Sequence, residues 1–98
     1  MNKYKTHTDK QINNAVAHKL GNKFVTIIGD DVRIRGYNFD PCNNPADAMP
    51  IINEYGINLV YQDMQFQFAT NDGNIECSVS NPLKAAMIIF LMMKDAEK

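Results

Sequence analysis

The sequence predicts an α+β fold: a small antiparallel sheet with helices packed on one face, in the order α-β-β-α-β-β-β-α. Three observations carry this. A Thr8-Asp9-Lys10-Gln11 box and two Asn-Pro pairs, Asn44-Pro45 and Asn81-Pro82, mark three helix starts. Between them, apolar and polar residues alternate over short runs, the period of a half-buried strand. The last helical stretch is apolar nearly all round, which a helix sustains when it is covered on several sides or held by a partner.

The first helix is expected over residues 9–20. Thr8 can cap it and Gln11 can bond back to the cap. Ile12, Ala15, Val16 and Leu20 recur at helical spacing, and Gly21 is a natural stop. His18 sits where the negative end of the helix dipole favours it. Phe24 to Ile28 is rich in β-branched residues. Val32 and Ile34 then alternate with Arg33 and Arg35, so the two runs read as a hairpin around Gly29-Asp30-Asp31 with one face solvated. Tyr37 to Asn44 is a connector full of turn residues.

The second helix starts at Asn44-Pro45, with Asp47 at the positive end of its dipole, and runs to Tyr55 before Gly56. Pro50 inside it removes one backbone hydrogen bond and predicts a kink or a tightened turn. Three strands follow. Ile57, Leu59 and Tyr61 share one face of the first, and Met64, Phe66 and Phe68 one face of the second. Asn71-Asp72-Gly73 suits a hairpin turn, and the return strand to Ser80 turns Ile75, Cys77 and Val79 to the core. The last helix, Leu83 to Lys94, should cover Phe66, Phe68, Ile75 and Val79.

The 98 residues suffice for a single compact domain spanning 1–98, and 45% hydrophobic with 21% charged residues is a globular composition. The longest apolar run, Ala85 to Met93, falls short of the roughly 20 residues of a membrane span. No apolar segment follows Met1-Asn2-Lys3-Tyr4-Lys5, so no secretory signal is read, and a cytoplasmic protein is expected. There Cys42 and Cys77 should be free thiols. Neither His7 nor His18 has metal-ligand spacing to a cysteine, so neither metal nor cofactor is expected.

Charge is unevenly spread. Residues 1–35 carry Lys3, Lys5, Lys10, Lys19, Lys23, Arg33 and Arg35, whereas Gly36 to Leu83 carries six carboxylates and no lysine or arginine. Nucleic-acid affinity comes chiefly from basic contacts to phosphate, so any such binding must use the N-terminal third. From Pro45 onward the order α-β-β-β-α matches that of a double-stranded-RNA-binding domain. The lysine cluster such a domain places at its last helix is reduced here to Lys84.

Catalytic chemistry finds little footing. Cys42 precedes a helix N-terminus, which can activate a thiol, but nothing places His7 or His18 beside it as a base. Asp30, Asp31, Asp40, Asp47, Asp63 and Asp72 fall in turns, connectors or a helix cap, and the glycines are isolated. A non-enzymatic protein is expected.

Two segments resemble a known family. Cys42-Asn43-Asn44-Pro45-Ala46-Asp47-Ala48-Met49-Pro50-Ile51-Ile52 and Asn81-Pro82-Leu83-Lys84-Ala85-Ala86-Met87-Ile88-Ile89-Phe90-Leu91-Met92-Met93 are similar to the NinX-like family of small phage and prophage proteins. The opening Met1-Asn2-Lys3-Tyr4-Lys5, with Ile12-Asn13 and Ala15-Val16-Ala17, fits the same pattern. Where members often carry Trp, this chain has Met49. The resemblance implies a phage-encoded accessory protein in the bacterial host and transfers no catalytic residue. Asn43, Asn44, Asp47 and Met49 around the second helix start are therefore the candidate interaction residues. Ile89 and Met92 are added for self-association or a partner on the apolar last helix. The alternative is a nucleic-acid-binding module using the basic N-terminal third.

Overall fold

The computed structural model describes residues 4–21, 25–28, 31–34, 37–71 and 75–96. The chain runs as α1 (Asp9–Lys19), β1 (Val25–Ile28), β2 (Asp31–Ile34), β3 (Tyr37–Asn38), α2 (Pro45–Tyr55), β4 (Ile57–Gln62), β5 (Gln65–Asn71), β6 (Ile75–Cys77) and α3 (Pro82–Ala96). The α+β class and the expected sequence of elements are as predicted, with the two-residue β3 added where a connector was expected.

Local chemistry sets the helix ends. The Thr8 hydroxyl accepts the Gln11 N–H at 3.2 Å, and the Gln11 side chain accepts the Thr8 N–H at 2.8 Å, a closed capping box. Gly21 leaves α1 at φ +75° and donates to the His18 carbonyl at 3.0 Å. The Asn44 side chain caps α2, and Gly56 ends it at φ +64° with its N–H on the Ile52 carbonyl. The helix continues through Pro50 to Tyr55.

The strands form two three-stranded antiparallel sheets, β1-β2-β3 and β4-β5-β6, rather than one. The first ladder ends with the Phe39 N–H on the Val32 carbonyl at 2.8 Å. Two residues later, buried Pro41 has no N–H to continue it, and the chain turns into α2. The turns at Gly29-Asp30 and Asp72-Gly73 lie outside the described residues.

In the second sheet, Gln62 pairs with Gln65, so Asp63 and Met64 form a two-residue hairpin turn, both with positive φ (54° and 65°). Met64 was expected in a strand; it sits in this turn, 93% exposed. Register then shifts between Val60, paired with Phe68, and Tyr61, paired with Phe66. The extra residue, Gln67, turns Phe68 to the face of Val60, opposite that of Leu59 and Ala69. Phe66, Ile75 and Val79 pack on the core as expected, but Phe68 stands outside it, and Tyr61 is half exposed with its ring against Phe66.

The helix α3 is the centre of the molecule. It packs against α1, α2, β4, β5 and β6, and every residue from Ala85 to Leu91 is buried. Burying each of its large side chains contributes about 1.5–3 kcal/mol, so most of the hydrophobic stabilisation is organised around this one helix. No described helix is long and apolar enough to cross a membrane.

Candidate functional site

The starts of all three helices meet at residues 40–44, and side-chain amides hold them there. Asn13, buried on α1, donates to the Asp40 carboxylate at 2.7 Å and accepts the Cys42 N–H at 3.1 Å. Asn43 donates to Asp9 Oδ2 at 3.2 Å and to Asp40. Asn81 accepts the N–H groups of Leu83 and Lys84, which caps α3, and donates to the Cys42 carbonyl at 2.7 Å and to Asn43 Oδ1. Lys84 closes the ring: its ammonium lies 3.1 Å from Asp9 Oδ1 and donates to the His7 carbonyl at 2.8 Å. An amide side chain carries both a donor and an acceptor, so Asn13, Asn43 and Asn81 can each bond a donor and an acceptor at once, which an acceptor-only carboxylate cannot.

Electrostatics follow from this packing. Burial raises the Asp9 pKa, but hydrogen bonds from Lys84 and Asn43 and the charges of Lys84 and Lys10 outweigh it and hold the carboxyl below its ordinary 3.8. Cys42 responds oppositely. Burial, helped by the negative charges of Asp9 and Asp40, pushes its thiol up to about 12. It stays protonated at neutral pH, with Sγ 3.7 Å from the Asp9 carbonyl. A thiol in that state is a packed apolar group and not a nucleophile.

The residues singled out in the sequence fall into three groups. Asn43, Asn44 and Asp47 do come together at the start of α2, where Asn44 accepts the Ala46 N–H and Asp47 accepts the Asp40 N–H at 2.9 Å. Met49 lies on α2, 39% exposed. Ile89 is fully buried within its own chain, and Met92 is mostly covered against the same core. The apolar circumference of α3 is thus filled by intramolecular packing, and Ile89 presents no surface to a partner. Of the basic residues, Lys3, Lys23 and Arg35 lie outside the described residues, while Lys19 pairs with Asp95 at 3.4 Å.

A feature missed in the sequence is a groove of about 330 Å³ along α2. One face of that helix supplies Ala46, Asp47, Pro50, Ile51, Glu54 and Tyr55, and Leu20, Ile34 and Phe39 form the opposite wall. The spacing along α2 is that of a single helical stripe, a signal the sequence did carry. The facing residues, from three other places in the chain, could not be matched to it.

Together these define a class: a small α+β protein clamped at its helix starts, with an open, acid-rimmed groove beside its second helix. The chain matches the family model described as "Bacteriophage P22, NinX" over residues 3–94, and it belongs to that family. It is accordingly a phage-type protein, and the match includes both Asn-Pro helix starts and all described residues of the clamp and the groove. No curated protein and no solved structure matches it.

Proposed function

We propose that this is a non-enzymatic phage accessory protein that acts in the host cytoplasm by binding another protein through the groove beside α2. The groove itself carries the reading. Leu20 and Pro50 are exposed beside a concave space, and Phe39 and Tyr55, half-buried against the core, turn part of their surface to it as well. Asp47 links the groove to the clamp, because the same carboxylate that borders the groove holds the Asp40 backbone.

The experiment is capture from host lysate with the tagged chain, with and without nuclease, beside a groove-filled variant, Ala46→Trp. A protein captured in stoichiometric amount by the native chain, resistant to nuclease and lost with Ala46→Trp, supports the reading. Capture unchanged by Ala46→Trp overturns it. Capture lost on nuclease treatment also overturns it and favours the basic N-terminal third as a nucleic-acid surface, a mode recognised by its steep salt dependence.

A further inference from the structure

We propose that the groove beside α2 receives a single arginine side chain projecting from an extended segment of the partner protein. This rests on the docking role proposed above and specifies what the groove reads. The charged residues that line it, Asp47 and Glu54, are both carboxylates, which only accept. Asp47 and Glu54 lie two helical turns apart on one face of α2, and both line the groove. Among the described residues Glu54 makes no ion pair, so its charge is open to a guest. A third acceptor comes from the backbone. Pro50 has no N–H, so the Ala46 carbonyl lacks the helix partner that residue 50 would otherwise supply, and both residues line the groove.

The rest of the lining suits the same guest. Phe39 and Tyr55 provide aromatic surface, and a guanidinium stacks on such rings while its five N–H groups meet acceptors at the rim. Leu20, Ile34 and Ile51 provide an apolar track for the methylene stem. Lys94 is held 4.9 Å from the Tyr55 ring centroid and 5.9 Å from that of Phe90, and it does not line the groove. The Tyr55 ring is itself fixed edge-on against Phe90 at 4.9 Å. Charge complementarity selects the occupant: the stretch from Gly36 to Leu83, which builds most of the groove, contains no lysine or arginine.

The test is an NMR titration of the 15N-labelled full chain with an acetylated, amidated heptapeptide, Ala-Ser-Leu-Arg-Leu-Ser-Ala. Its counterpart carries citrulline, the neutral isostere, in place of arginine. The expected result is shifts centred on the amides of Ala46, Asp47, Glu54 and Tyr55, abolished by Ala46→Trp. Glu54→Gln should weaken binding about twofold to fivefold, the worth of one exposed charge contact, and citrulline should weaken it more. Equal binding of the two peptides overturns the arginine assignment while leaving the groove a docking site. No shift at the groove with the arginine peptide also overturns it. In that case the docking role is judged separately, by whether lysate capture still depends on an open groove.

Discussion

The second and third helices begin alike and end in opposite places. Each opens with Asn-Pro, and each asparagine accepts N–H groups of the first turn. Among the described residues the Asn44 side chain does no more than that, whereas Asn81 also donates to the Cys42 carbonyl and to Asn43. Seven consecutive residues of α3 are buried, while α2 buries Ala48, Ile51 and Ile52 and leaves Met49, Pro50 and Glu54 on the surface. The same start signal therefore serves two purposes. On α3 it locks a core helix to two other elements, and on α2 it launches a helix whose outer face is free to meet something else.

The contrast breaks most sharply with a charge. Ile89→Asp should cost about 4 kcal/mol or more, because an unpaired carboxylate would sit in the packed centre. Met49→Asp on α2 should cost under about 1 kcal/mol, as surface changes do. Urea unfolding followed by circular dichroism measures both, and size-exclusion chromatography asks whether either changes the assembly. An Ile89→Asp chain that stays folded but runs smaller would make α3 an interface and reverse the assignment of the two helices. The caps should separate next. Asn44→Ala should lose about 1 kcal/mol, and Asn81→Ala about 2–3 kcal/mol, since it also strands the Cys42 carbonyl. Equal losses would mean that the bridging bonds of Asn81 add nothing.

How far the sequence reaches depends on the range of the interactions that decide each feature. Helix starts at Thr8, Asn44 and Asn81, and stops at Gly21 and Gly56, are written in residues within a turn of one another, and all were readable. The split into two sheets turned on a strand of two residues ending near Pro41, too short to leave a periodic pattern. The Asp63-Met64 turn lacks the glycine that announces such turns, and the bulge at Gln67 reverses an alternation that reads as continuous. At the site, Asn43, Asn44 and Asp47 could be found because they flank a helix start. The other clamp residues Asp9, Asn13 and Lys84 bond Asn43, Asp40 and the His7 carbonyl, 34, 27 and 77 residues away, beyond any local signal.

Acid should loosen the clamp once it neutralises the Asp9 carboxylate. The Asp9 carboxyl titrates below its ordinary 3.8 in the folded chain, against that ordinary value when unfolded. Its stabilising contribution is therefore complete above pH 3.8 and is lost as pH falls through the depressed value. Lys84→Met removes the cation responsible for much of that depression. The stability difference between native and variant should be largest near neutral pH and narrow as pH falls below 3.8, closing only beneath the depressed value, where the carboxylate is neutralised in both. A difference that stays constant down to pH 2 would show that Lys84 acts only through its bond to the His7 carbonyl.

The smallest effect separates strain from packing at the tip of the second sheet. Met64 adopts φ +65°, a left-handed conformation costly for a side chain with a Cβ, yet its side chain is 93% exposed. Asp63 precedes it at φ +54°, so the turn has the geometry for which Asp-Gly is preferred. Met64→Gly should raise stability by about 0.5–1 kcal/mol, the relief of strain exceeding the greater freedom glycine gives the unfolded chain. Met64→Ala keeps the strain and should not share the gain, so urea midpoints of the two variants isolate the backbone contribution. Should both variants lose stability, the exposed methionine packs on the hairpin more than its accessibility implies. If Met64→Gly alone gains, this turn, like the open face of α2, holds a residue that the fold does not require.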